Sequence, residues 1–160
     1  MTGQGTRESV VVGIDGSRES ARALAWAARY AQATGATIRA VLAWHYPAQV
    51  GSAPTGVAPA SVTQEVEESR HDLMDSEIAK VLGDSPQVAI ERTVVYGHPA
   101  QVLIDESRAA DLLVVGSRGR GGFKGMLLGS VSTNCVTHAS CPVTVVHAGL
   151  RNVQFPNSSN

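Results

Sequence analysis

Leu112-Leu113-Val114-Val115-Gly116-Ser117-Arg118-Gly119-Arg120-Gly121-Gly122, running on through Gly125 to Gly129-Ser130-Val131-Ser132, is the stretch on which the reading of this 160-residue chain turns. Four consecutive apolar residues with no polar alternation suit a central strand of a parallel sheet, covered by helices on both faces. Six of the sixteen glycines of the chain then fall within Gly116–Gly129, directly between that strand and a helix predicted from Ser130 to Ala139. Glycine permits positive φ and lets amides converge on one centre as an anion nest, and the N-terminus of the next helix adds donors and a favourable dipole. Phosphate is the natural occupant. Arg118, Arg120 and Lys124 can neutralise a polyphosphate, and Ser130 and Ser132 place hydroxyls at the helix start. Composition by itself also fits a plain surface loop whose glycines serve only mobility.

Outward from this loop the chain alternates strands and helices. Ser9–Ile14 reads as a buried β-branched strand ended by Asp15-Gly16-Ser17. Ser17 is a good N-cap with Glu19 in the first turn, and Ala21, Leu24, Ala25 and Ala28 follow at helical spacing up to Thr34, before Gly35. A second strand is predicted over Ala36–Trp44. The Pro- and Gly-rich stretch 45–60 reads as a long loop, and a second helix over Ser61–Leu82 turns Met74, Ile78, Val81 and Leu82 inward and Glu65, Glu67, Glu68 and Arg70 outward. Val88–Val95 alternates as an edge strand does, Pro99 opens a third helix carrying Val102, Leu103 and Ala110, and Pro142–Val146 supplies a fifth strand.

This βαβαβαβαβ order predicts a doubly wound, Rossmann-like α/β domain over residues 8–148, with helices on both faces of a five-stranded parallel sheet and flexible termini at 1–7 and 149–160. If the chain winds outward through strands one to three and returns to add four and five, the strand order is 3-2-1-4-5. The switch point then lies between strands one and four. Ligands bind there at the carboxyl ends, which nominates Asp15 and the segment from Gly116 before any motif is invoked.

Bulk properties exclude several partners. Thirteen Lys and Arg stand against fourteen Asp and Glu, a formal net charge of −1, so no basic field exists to hold nucleic acid or an anionic membrane. Cys135 and Cys141 form neither a disulfide framework nor a zinc set, which fits a reducing compartment. No apolar run approaches the roughly 18 residues of a membrane span, and residues 1–8 lack a signal-peptide core, so a cytoplasmic protein is expected.

Generic nucleotide motifs fail. GxxxxGK[ST] is absent, and GxGxxG breaks where Lys124 stands in place of the third glycine. However, Gly116-x2-Gly119-x9-Gly129-Ser130 resembles the G-x2-G-x9-G-[ST] motif of ATP-binding universal stress proteins. The first strand through Asp15-Gly16-Ser17, Gly97-His98-Pro99, Asp111–Gly116 and Cys141–Val146 resemble that family in the same order. The resemblance implies the adenine nucleotide alpha hydrolase-like fold, phosphates on the amides of Gly116, Gly119 and Gly129 with Ser130, Asp15 facing the adenosine and its ribose, and adenine near Val41. It also implies a homodimer, often through strand five, and ATP with Mg2+. The expected binding set therefore comprises Gly13, Asp15 and Val41 with Gly116, Ser117, Arg118, Gly119, Arg120, Gly121, Gly122, Gly129, Ser130, Val131 and Ser132. No direct protein ligand to Mg2+ is expected, and no catalytic residue.

Plainer roles stand beside these. Asp15 before Gly-Ser is also a common turn former. His98 reads as a cap or an exposed residue, His138 and His147 lack metal-ligand spacing, Cys135 and Cys141 read as packing, and Trp44 is either packed or an adenine platform. Functionally, a nucleotide-dependent regulatory or signalling module in stress response or dormancy fits best, because no Ser-His-Asp set, carboxylate pair or water-activating base accompanies the nest. A slow ATPase or nucleotidyl-transferring enzyme, with Asp15 and Mg2+ as its only machinery, and a nucleotide-free dimerising stress protein are the alternatives.

Overall fold

The computed structural model describes residues 7–45, 60–121, 125 and 127–147. The interior of the expected 45–60 loop, Gly122, Lys124 and residues 149–160 lie outside the described residues, as do 1–6 of the expected N-terminal tail. The described chain forms β1 (Ser9–Gly13), α1 (Arg18–Thr34), β2 (Thr37–Trp44), α2 (Ala60–Leu82), β3 (Ile90–Tyr96), α3 (Pro99–Glu106), β4 (Leu112–Gly116), α4 (Ser130–His138) and β5 (Val143–Val146), with a 3-10 turn at Ser107–Ala109. All sheet pairings are parallel and the order is β3-β2-β1-β4-β5, as the sequence predicts.

The two faces of the sheet carry separate cores, which follows from the period of two along each strand. Val10, Val12, Ile38, Ala40, Leu42 and Val114 pack with Leu24, Ala27 and Ala28 of α1 and Met74 and Ile78 of α2. Val11, Val41, Leu113 and Val115 point the other way, to Leu103 of α3 and Cys135 of α4. Consecutive valines of β1 and β4 are thus both buried, which is why those strands show no polar alternation. β3 and β5 are the two edges, and the charged pair Glu91 and Arg92 blunts the first of them.

Local signals place the helix ends. Ser17 caps α1 by accepting from the Ser20 N–H (3.1 Å), and the N–H of Gly35 closes the other end on the Ala31 carbonyl (2.8 Å). The buried stripe of α1 differs from the predicted one: Ser20, Ala23, Leu24, Ala27, Ala28 and Ala31 are buried, whereas Ala21 and Ala25 are half-buried. The small side chains of Ala23, Ala27 and Ala31 seat the helix close on the sheet, a preference that hydrophobicity alone does not reveal. Arg70, expected in solvent, is half-buried, and Glu77 is buried against Lys80 (2.8 Å). Ala110 lies beyond α3, because the helix passes into the 3-10 turn.

Candidate functional site

The carboxyl ends of β1 and β4 open into a cleft of about 450 Å³, within the roughly 300–1,000 Å³ of small-molecule sites. Val41 and Ala43 of β2, Pro99 and Leu103 of α3 and Val115 of β4 give it an apolar lining, to which Asp15, Arg118, Gly119, Arg120 and the start of α4 add polar and charged groups. This is the crevice the topology dictates, since β1 and β4 part their crossovers to opposite faces at this point.

Asp15 has two tasks. Its Oδ1 accepts from the Ser17 N–H (2.8 Å), the turn-forming role, while a Cβ on Gly119 would stand 2.7 Å from its Oδ2. Asp15 therefore faces the glycine loop across the cleft while holding the β1–α1 turn. Ser20 supports it, taking the Asp15 N–H at 3.4 Å and lining the same cleft.

Two of the loop glycines, Gly116 and Gly119, are needed for close approach, and Gly125 for a left-handed backbone. Of the glycines described between Gly116 and Gly129, positive φ occurs only at Gly125. A Cβ on Gly116 would meet the Glu19 Cβ at 2.7 Å and the Glu19 carbonyl carbon at 2.8 Å, so β4 can touch the first turn of α1 only without a side chain there. Gly16 answers both needs: φ is +76°, and a Cβ would fall 2.6 Å from a terminal nitrogen of Arg120.

A clasp on one carbonyl roots the loop. The Ser117 carbonyl accepts from the Gly129 N–H (2.7 Å) and the Ser132 hydroxyl (2.9 Å), while the Ser117 N–H donates to the Val146 carbonyl (2.9 Å). The Gly129 amide and the Ser132 hydroxyl, expected on phosphate, are thus engaged within the loop, and Ser117 is buried beneath it. The first turn of α4 has no side-chain cap, so the backbone N–H groups of Ser130, Val131 and Ser132 are left to meet a ligand, at the positive end of the helix. Arg118 and Arg120 both lean toward α1, Arg118 to Glu19 (3.9 Å) and Arg120 over Gly16.

Of the expected residues, Gly13, Asp15, Val41, Gly116, Arg118, Gly119, Arg120, Gly121, Gly129, Ser130, Val131 and Ser132 all line the cleft. Ala43, Pro99, Leu103 and Val115 line it too; they were not foreseen, although Ala43 sits two residues past Val41 on the same strand face. Trp44 belongs instead to the α1–α2 core, edge-on to Tyr96 with ring centroids 5.0 Å apart. His98 is exposed, makes no side-chain cap and stacks on His45 (5.2 Å). Burial pushes the Cys135 thiol up to about 11, which suits packing. Among the described residues no group of three metal-binding side chains occurs, and no helix is long and apolar enough to cross a membrane.

Comparison with known proteins bears on the whole domain. Residues 6–147 match the model of the universal stress protein family. A universal stress protein of Mycolicibacterium smegmatis is 37% identical over 151 residues, covering 92% of this chain and 50% of the relative. One from Mycobacterium tuberculosis strain H37Rv is 44% identical over 137 residues, covering 85% and 44%. The chain spans about half the length of these curated relatives. Among solved structures, a hypothetical protein from a structural-genomics test case superposes with TM-score 0.72 at 18% identity, covering 88% of this chain and 95% of that one. A universal stress protein in complex with cAMP superposes with TM-score 0.55 at 29% identity, covering 88% and 97%. The strand order, the glycine loop at the β1–β4 switch point and the match over residues 6–147 agree, and the chain belongs to the universal stress protein family.

Proposed function

We propose that the cleft binds an adenine nucleotide, ATP in the first instance, and that occupancy sets the state of a regulatory module in stress response or dormancy. The observation that carries this reading is that an uncapped α4 N-terminus and Asp15 line one cleft with the apolar Val41, Ala43, Leu103 and Val115. Phosphates would meet the amides of Ser130, Val131 and Ser132 with Gly119 beside them, the ribose would meet Asp15, and the adenine would enter between Val41, Ala43 and Leu103. The solved relative in complex with cAMP, at 29% identity, supports an adenine ligand. Mg2+ would be held by phosphate oxygens. When bound, it would neutralise phosphate charge; the chain's own part is to position the nucleotide and shield it. Among the described residues that line the cleft Asp15 is the one carboxylate, and its Oδ1 is engaged with Ser17, so binding rather than turnover is the proposed activity.

A homodimer through β5 belongs to the same proposal. This edge has four residues, Val143-Thr144-Val145-Val146, none charged, and an open edge without charge invites another strand. A cytoplasmic setting fits the two free thiols.

Purified protein that has met no added nucleotide is denatured, and the released small molecules are identified and counted by chromatography with mass detection. ATP near one per chain is the expected result. Finding no nucleotide, followed by no uptake of added ATP, would overturn the reading in favour of a nucleotide-free dimer.

A further inference from the structure

Glu19 borders the expected phosphate side of the cleft through Arg118 and Gly116, which line it, although it belongs to no part of the glycine motif. Its Oε1 lies 3.9 Å from the Arg118 Nη2, with the two side chains 19% and 32% exposed. The backbone of Glu19 is held in place, because it packs on Gly116 at distances that exclude a Cβ there. Helix α1 thus delivers a carboxylate to the one loop arginine that an ion pair retains. Among the described residues, the charges on this side are Asp15 and Glu19 against Arg118 and Arg120, a balance of zero. A nest of amides facing neutral surroundings holds one phosphate well, but every further phosphate adds negative charge that no surplus of positive side chains among the described residues offsets.

We propose that Glu19 is a specificity-determining residue, which occupies Arg118 and thereby lowers the preference of the site for nucleotides with longer phosphate chains. This rests on the adenine-nucleotide reading above. The penalty grows with phosphate number and vanishes for adenosine, which carries none. Glu19 acts through Arg118, so its effect should depend on that arginine.

Calorimetric titration of wild type, Glu19→Gln, Arg118→Gln and the double variant with ATP, AMP and adenosine at low salt tests this. Glutamine keeps the length of the side chain and removes its charge. Glu19→Gln should tighten ATP about three- to fivefold, the scale of a partly exposed ion pair, with AMP moving less and adenosine unchanged. In the Arg118→Gln background the same substitution should lose most of its effect on ATP, and raising the salt should erase the gain. Unchanged ATP affinity, equal shifts for ATP and adenosine, or an undiminished effect without Arg118 would each overturn the inference while leaving nucleotide binding intact. Wild type that takes up neither ATP nor adenosine would overturn both readings.

Discussion

Gly116→Ala and Gly119→Ala should separate cleanly, although both place one methyl group in the same loop. At Gly116 the new Cβ would meet Glu19 Cβ at 2.7 Å and Glu19 main-chain atoms at 2.8 and 3.0 Å. None of these is the end of a flexible side chain, so β4 and α1 must move apart. Overpacking of this kind costs about 2 kcal/mol, which for a domain of this size lowers Tm by roughly 4–8 °C. At Gly119 the methyl would meet only Asp15 Oδ2, at 2.7 Å, with the other Asp15 carbon far behind at 3.9 Å. The carboxylate can turn away, at the expense of the Ser17 N–H bond that Oδ1 accepts at 2.8 Å. A carboxylate turned away from the ligand would forfeit a charge-assisted hydrogen bond to it of about 1.5 kcal/mol, so nucleotide affinity should fall about tenfold. The lost Ser17 bond, about 1 kcal/mol, should lower apo Tm by about half of the Gly116→Ala change. Differential scanning calorimetry of the apo proteins and ATP titration of each give both numbers. Equal Tm losses with ATP affinity untouched at Gly119→Ala would refute the assignment of Asp15 to the ligand, and an unchanged Tm at Gly116→Ala would refute the β4–α1 contact as rigid.

Asp15→Ala should lower apo stability by about 1 kcal/mol through the lost turn bond and weaken ATP by more than tenfold; a loss of stability with affinity retained would leave Asp15 a turn former only. The Cys135 thiol, ordinarily near 9.0, is raised to about 11 in the folded chain. Its contribution to stability is therefore full below about pH 9 and is lost as pH rises toward 11, and a thiol reagent at pH 8 should find Cys135 silent until denaturant is added. Fast native labelling of Cys135, located by peptide mapping, would contradict that burial. Thr144→Lys puts a charge on the uncharged β5 edge and should shift sedimentation from dimer to monomer with little change in Tm; an unaltered dimer would place the interface elsewhere.

How far the sequence led differs between the sheet and the site. Strand order was legible because Leu112–Val115 is apolar throughout whereas the Val88–Val95 stretch carries the charges of Glu91 and Arg92, so the centre and one edge declare themselves. The cleft's location followed from topology. What lay hidden was the reason for the glycines, since the contact of Gly116 with Glu19 joins segments far apart in the chain and only the fold brings them together. The same holds for Ser132: a hydroxyl at a helix start reads as a phosphate donor, yet here it turns back to the carbonyls of Ser117 and Gly129. Trp44 was undecidable because a single step along β2 exchanges cleft for core, and Val41 and Ala43 hold the cleft side.

The Ser117 clasp has a mechanical meaning. Its N–H hangs from Val146, the last residue of β5, and its carbonyl holds the far end of the loop through Gly129 and Ser132. The root of the glycine loop is therefore bolted to an edge strand of the sheet. If a second chain pairs with β5 and a nucleotide fills the cleft, as proposed, a pull on that strand would reach the loop's anchor, and a loop stiffened by its ligand would stiffen the strand in return.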